Sequence, residues 1–258
     1  RVLKDDGTMW IIADNYFYDG QLLQLPFTLG KKIQAADFIF RNIIIWYNTF
    51  SEHLSRDLTN RYSCILFFAK NKTYKFDMDP VREPHIWKDV EWGGGRRSRY
   101  NPKGKDPSNF WLKTESEKGN TTRHIVMKPE EVISRCIMAS TSEDDCVLDF
   151  FAENAPTIKV TKELNRVPVS CFSRVGYLDK LPRLKAKEKS TRNVASESRK
   201  LVRDLYIKSS EEMNEVGDSS VQVIITSPPY WGLRDYGVAD QIGFGESYSE
   251  YLNRLEIV

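Results

Sequence analysis

Long apolar runs are missing from this 258-residue sequence. None comes near the roughly 18 residues that a spanning helix needs, and no stretch has the form of a secretory h-region. The expectation is a soluble, cytoplasmic chain with no membrane partner. Cysteine is scarce: Cys64, Cys136, Cys146 and Cys171 are far apart and form no C-x-x-C pair. A disulfide framework and a zinc site are thereby excluded, and buried, reduced thiols are expected. The three histidines, His53, His85 and His124, have neither triad nor metal spacing, so no metal is expected. Charge of one sign is also lacking. With 38 basic and 36 acidic residues the net charge is +2, so any surface suited to nucleic acid must be local. No internal repeat is visible. The chain begins at Arg1 rather than Met, as expected of a processed chain or a fragment.

What is present is a pattern of short apolar segments between helical ones, in a chain long enough for one large domain. Thr8 to Ala13, after an expected Asp6-Gly7 turn, Asn42 to Tyr47, Tyr62 to Ala69, Cys146 to Phe151 and Val221 to Thr226 read as buried strands. Pro129, followed by Glu130, Glu131 and the stripe Val132, Ile133, Cys136, Ile137, predicts one helix, and Pro156 to Asn165 another. This alternation predicts an α/β fold with an open, mostly parallel sheet and ligands at the carboxyl ends of its strands. Two regions break the pattern: residues 88–123, glycine-rich and basic with interleaved aromatics, read as a loop-rich insert. Residues 180–200, highly charged and without periodicity, read as a linker or exposed helix.

The most informative stretch is "ITSPPYWGLRDYG", residues 225–237. A buried strand ends in Thr-Ser, then in two prolines that fix φ, donate no hydrogen bond and leave their carbonyls as acceptors. Ser227 adds a hydroxyl, and Tyr230 or Trp231 a face on which a planar base can stack. Such a site suits a small amino group on a flat ring.

That string resembles the catalytic motif of the exocyclic-amino DNA methyltransferases, and its Ser-Pro-Pro-Tyr form is similar to the cytosine-N4 branch. "NRYSCILFFAKNKTYKFDMDPVREPH", "NPKGKDPSNFW" and "MKPEEVISRCIMAS...DCVLDFFA" resemble successive blocks of the family's β class. The resemblance implies a Rossmann-like methyltransferase sheet and methyl transfer from S-adenosylmethionine to the amino nitrogen of a cytosine flipped out of duplex DNA. It further implies catalytic roles for Ser227, Pro228, Pro229 and Tyr230. Cofactor contacts are implied at Asp149, Phe151, Ala152, Thr157, Lys128 and Pro129. No Pro-Cys dipeptide, the nucleophile signature of the ring-carbon methyltransferases, occurs.

Block order departs from the β class, where the catalytic motif comes first. Here it comes last, while "SYSEYLNRLEIV" resembles the helix after that motif and "RVLKDDGTMWIIADNY" the turn and strand it feeds. The expectation is one circularly permuted domain over 1–258, with 180–200 joining the ancestral termini; the alternative is two partial domains in tandem. The cofactor loop departs as well. In "DFFAENAPT", Phe150 replaces a proline, and Glu153 and Ala155 stand where the family has glycines. Phe172 takes the place of an acid, and Lys208-Ser209 that of a Gly-Asp pair.

The insert occupies the place of the family's target-recognition region. Arg96, Arg97, Arg99, Lys103 and Lys105 are candidates for phosphate contacts, Trp92 and Tyr100 could stack or wedge, and Trp231 is a further DNA-binding candidate. The expected activity is site-specific cytosine-N4 methylation in a nucleoid-associated enzyme, with a homodimer or partner subunit possible. Two alternatives stay open: a catalytically silent DNA- or partner-binding protein that has lost its cofactor, and an adenine-N6 methyltransferase.

Overall fold

The computed structural model describes residues 1–48, 58–85, 101–117, 121–152, 156–172, 205–232, 235–238 and 240–258. β-Branched and aromatic runs form the strands β1 (Leu3–Ala13), β2 (Tyr16–Tyr18), β3 (Gln21–Leu23), β4 (Ile39–Tyr47), β5 (Tyr62–Ala69) and β6 (Phe110–Trp111). They continue as β7 (Lys113–Glu117), β8 (Thr121–Ile125), β9 (Cys146–Asp149), β10 (Val167–Phe172), β11 (Leu205–Ile207) and β12 (Val221–Thr226). The helices are α1 (Leu25–Ala35), α2 (Pro129–Ser140), α3 (Pro156–Glu163) and α4 (Tyr248–Ile257).

Eight strands make one sheet in the order β11-β10-β9-β12-β1-β5-β4-β6. From β11 to β1 every neighbouring pair is parallel. β5 then runs antiparallel between β1 and β4. Alternation sends Met9, Ile11 and Ala13 of β1 to one face, with Cys64, Leu66 and Phe68 of β5, against Leu25 and Leu29 of α1 and Tyr251 and Leu252 of α4. The other face carries Trp10, Ile65 and Phe67 against Val132, Ile133, Cys136 and Ile137 of α2 and Val160 of α3. Both faces are therefore covered, which is why these strands read as continuous apolar runs. Each proline-started helix begins where expected, and Glu131 secures α2 by accepting from the Lys128 amide at 2.8 Å. That bond, with Lys113 beside it, holds the Glu131 carboxyl below the usual range.

Several expectations need correcting. Asp6-Gly7 is not a turn: β1 runs through it, with a register irregularity between Leu3 and Thr8. Gly7 is needed for packing, because a Cβ there would stand 2.7 Å from Leu3 Cγ. β9 stops at Asp149, two residues early, and α3 stops at Glu163, before Asn165 turns at a φ of 59°. The insert, expected to be loop-rich, ends in a hairpin in which β7 pairs with β8, and its Trp111 is buried in the second core. Residues 180–200 lie outside the described residues.

β12 sits between β9 and β1, and α4 follows it on the α1 face. Val2, at the entry to β1, and Val258, at the end of α4, pack against the same core. The Arg1 guanidinium donates to the Met213 carbonyl at 2.9 Å, and Arg254 of α4 binds Glu211, two residues away in sequence, at 2.8 and 3.0 Å.

Candidate active site

Because β9, β12 and β1 are parallel neighbours, their carboxyl ends open on one edge, where open α/β sheets bind ligands. β9 ends in Asp149, which is buried. Its Oδ1 accepts from the Thr226 hydroxyl at the end of β12 (3.0 Å) and from the Phe151 amide (3.1 Å), and Thr157 at the start of α3 also bonds to the carboxyl. Burial outweighs these donors and pushes Asp149 up to about 6. The Ala152 amide donates to the Cys171 carbonyl at 3.0 Å, fixing the start of the loop to β10. Ser170 of β10 stands in register with Asp149. Its hydroxyl is buried and has no partner among the described residues. An orphaned hydroxyl beside a buried acid fits a polar ligand reaching this edge.

After Thr226 the chain enters the motif. The Ser227 side chain is half-buried, and neither its hydroxyl nor the Pro228 carbonyl has a partner among the described residues. The Pro229 carbonyl is not free: the hydroxyl of fully buried Tyr251 donates to it at 2.7 Å. The expected pair of open proline carbonyls is thus one. Tyr230 donates its hydroxyl to Asp14 Oδ2 at 2.7 Å, linking the motif to the segment between β1 and β2. Trp231, expected at DNA, packs inward at 8 % exposure, between Tyr18 (4.5 Å between ring centroids) and Tyr248 (5.1 Å). Its indole N–H donates to the Glu246 carbonyl at 2.8 Å. Gly243 allows the closing loop to pass, at a φ of +86° and with space for a Cβ only 3.0 Å from the Tyr251 ring.

The other sequence-derived candidates are more scattered. Phe151 packs on the core beside buried Ala152, and buried Thr157 opens α3. Lys128 and Pro129 are exposed at the start of α2, and among the described residues no hydrogen bond joins them to the Asp149 group. Lys103 pairs with Asp79, and Lys105 lies 3.7 Å from Glu83. Both lysines are exposed, so these pairs hold them weakly. Arg96, Arg97, Arg99, Trp92 and Tyr100 lie outside the described residues, as do Glu153, Ala155 and the side chain of Phe172. Lys208 pairs with Glu215 at 2.9 Å, and Ser209 donates to Glu211 at 2.7 Å. Sequence reasoning missed Asp14, Ser170 and Tyr251. Only Asp14 carried a signal, a polar residue directly after a long apolar strand. Among the described residues no group of His, Cys, Asp and Glu could hold a metal ion, and no helix is long and apolar enough to cross a membrane.

A mostly parallel sheet whose carboxyl edge sets a buried acid on one strand beside a Ser-Pro-Pro-Tyr turn on the next has the layout of a methyltransferase-like α/β protein. The chain belongs to the DNA methylase family, whose model matches residues 1–181. The motif at 227–230 lies beyond the matched stretch. Among curated relatives, the type II methyltransferase M.HpaI of Haemophilus parainfluenzae is 32 % identical over 69 % of this chain and 53 % of its own length. M.BglII, from Bacillus subtilis, is 28 % identical over 69 % of this chain and 51 % of its own. The chain thus spans about half the length of these relatives. In three dimensions it is similar to the PvuII DNA methyltransferase (cytosine-N4-specific), with a TM-score of 0.50 and 16 % identity over 80 % of this chain and 74 % of that one, a likeness of fold.

Proposed function

We propose that the protein transfers a methyl group from S-adenosylmethionine to the exocyclic amino nitrogen of a flipped cytosine in duplex DNA. The observation that carries this reading is the pair of acceptors without a partner among the described residues, the Ser227 hydroxyl and the Pro228 carbonyl, one strand away from Asp149. The chemistry the cofactor supplies when bound is a methyl group on a positively charged sulfur. Asp149 and Ser170 would hold it at the ends of β9 and β10, with Phe151, Ala152 and Thr157 shaping the loop and Lys128 and Pro129 contributing from α2. The amino nitrogen is a poor nucleophile because its lone pair is delocalised into the ring. Ser227 and Pro228 would accept its two hydrogens and favour pyramidalisation, and Tyr230 would stack on the base. Orientation and fixed dipoles then carry the rate, with no covalent intermediate on the protein. Arg96, Arg97 and Arg99, with Lys103 and Lys105 released from their weak pairs, would meet phosphates.

A second reading, a silent protein that binds DNA or a partner, is favoured by Lys208 and Ser209, which are occupied by Glu215 and Glu211 at the family's Gly-Asp position. Calorimetric titration with S-adenosylmethionine separates the two. Heat of binding, with radiolabelled methyl incorporated into DNA from a methylation-deficient strain, is expected. No heat at millimolar cofactor with a folded protein would leave only the silent reading. Ser227→Ala is expected to lower methyl transfer by about 100-fold or more, the scale of losing one preorganised polar group, with cofactor affinity unchanged. Nucleoside analysis of the product as N4-methylcytosine, rather than N6-methyladenine, tests the base assignment.

We further propose that 1–258 forms one permuted domain. Support comes from α4, which follows β12 toward the core region where β1 begins beside β12 as its parallel neighbour. A chain with Val258 linked to Arg1 and new ends opened within 180–200 is expected to fold with the same cofactor affinity. Loss of folding in that chain would favour two partial domains in tandem.

A further inference from the structure

The Ser-Pro-Pro-Tyr turn does not hold itself. No hydrogen bond among the described residues ties Ser227 or Pro228, so the geometry of the turn depends on tethers further along it. Tyr230 is the residue whose orientation matters most for a flat ring, since a tyrosine can rotate about two side-chain bonds. Its hydroxyl is held by a carboxylate from another part of the chain, Asp14 Oδ2 at 2.7 Å, 216 residues away in sequence. Asp14 is itself well placed: it follows Ala13, the last residue of β1, whose pairing with β12 runs up to Ile11 opposite Thr226. Two paired strands thus set the distance between the carboxylate and the turn.

The other oxygen, Asp14 Oδ1, is buried and has no donor among the described residues, and the same is true of Asn15 Oδ1 beside it. Asn15 spends its amide donor on the Tyr62 hydroxyl at 3.1 Å. Asp14 is half-buried, and leaving its one buried oxygen without a donor is costly, so a residue there for packing alone would serve better as an apolar one. Its one bond to the motif is what the carboxylate provides.

We propose that Asp14 is a positioning residue for the base-stacking tyrosine. By accepting the Tyr230 hydroxyl it fixes the plane of the ring before any base arrives, so that the base enters a formed slot. This rests on the proposed methyl transfer for its consequence in rate, while the tie between Asp14 and Tyr230 can be read without activity.

The test uses the full chain labelled with 3-fluorotyrosine and followed by fluorine NMR, with the Tyr230 resonance assigned by its loss in Tyr230→Phe. In Asp14→Ala this resonance is expected to move and broaden, and in Asp14→Asn, whose amide oxygen can still accept, to return towards its original position. In parallel, methyl incorporation into unmethylated genomic DNA is measured for Asp14→Ala, Tyr230→Phe and the double variant. Each single variant is expected to lose about 10-fold in kcat, with the KM for S-adenosylmethionine unchanged, as for a misplaced reacting group. The double variant is expected to lose no more than either alone, because both remove one tether. An unmoved resonance in Asp14→Ala, or losses that multiply in the double variant, would overturn the proposal. If the unaltered protein transfers no methyl group, the proposed function fails and the NMR result alone decides the tether. Should Asp14→Ala not fold, Asp14→Leu, which keeps the bulk of the side chain and removes the acceptor, gives the same comparison against Tyr230→Phe.

Discussion

The ends of β12 and β9 lie side by side at one edge of the sheet, yet they treat their polar groups in opposite ways. At β12 the side chains that brace the turn come from elsewhere: Tyr251 from α4, Asp14 from the segment between β1 and β2, and the Glu246 carbonyl that receives Trp231. Among the described residues those braces leave a hydroxyl and a carbonyl open. At β9 the carboxylate of Asp149 is buried and accepts from Thr226, Phe151 and Thr157. A site for a neutral amino group needs acceptors held outward, and remote braces supply that without using them. The buried acid does the reverse, carrying a desolvation cost that local donors reduce but do not cancel.

That cost makes the largest prediction. Asp149 is raised to about 6 by burial, above its ordinary range near 3.9 when unfolded. As pH rises from about 4, the unfolded chain releases this proton first, so the folded state binds more protons and stability falls until pH passes about 6. Above that the loss is constant, about 3 kcal/mol at most. Asp149→Asn has no proton to release, and its side-chain oxygen can still accept from Thr226 and Phe151. Urea unfolding of both proteins should therefore show the variant gaining on the parent by about 2–3 kcal/mol between pH 4 and pH 7. A difference independent of pH would mean that the β9 end carries no such cost, and the contrast with β12 would vanish.

How far the sequence anticipated these two ends follows from where their partners sit. The α/β class, five strands of the sheet and both proline-started helices were legible, because apolar period and proline placement are local signals. Asp6-Gly7 misled because the same dipeptide serves a turn or an irregular strand, and only the nearness of Leu3 to Gly7 distinguishes them. The motif itself was plain, but its internal accounting was not. Two prolines imply two free carbonyls until Tyr251, 22 residues on, is seen to occupy one of them. Trp231 looked like a stacking surface by its neighbours in sequence, whereas Tyr18 and Tyr248, which enclose it, come from distant segments. Asp14 and Ser170 carried no motif of their own. Their roles arise from strand register, and register between β1 and β12 is a property of the folded sheet.

The smaller prediction tests the asymmetry between the two proline carbonyls. Tyr251 is fully buried, and its ring packs beside Gly243. Tyr251→Phe keeps that ring and removes only the hydroxyl, leaving the buried Pro229 carbonyl without its donor. The expected loss is about 1–3 kcal/mol, the penalty for stranding one buried acceptor, seen as a lower urea midpoint with an unchanged slope. If the motif works through Ser227 and Pro228, methyl transfer measured well below the new midpoint should change far less than in Ser227→Ala. A variant as inactive as Ser227→Ala would place the Pro229 carbonyl, and the tyrosine that holds it, inside the reacting geometry. A stability change below about 0.5 kcal/mol, the ordinary scatter of a neutral substitution, would mean that α4 does not brace the turn.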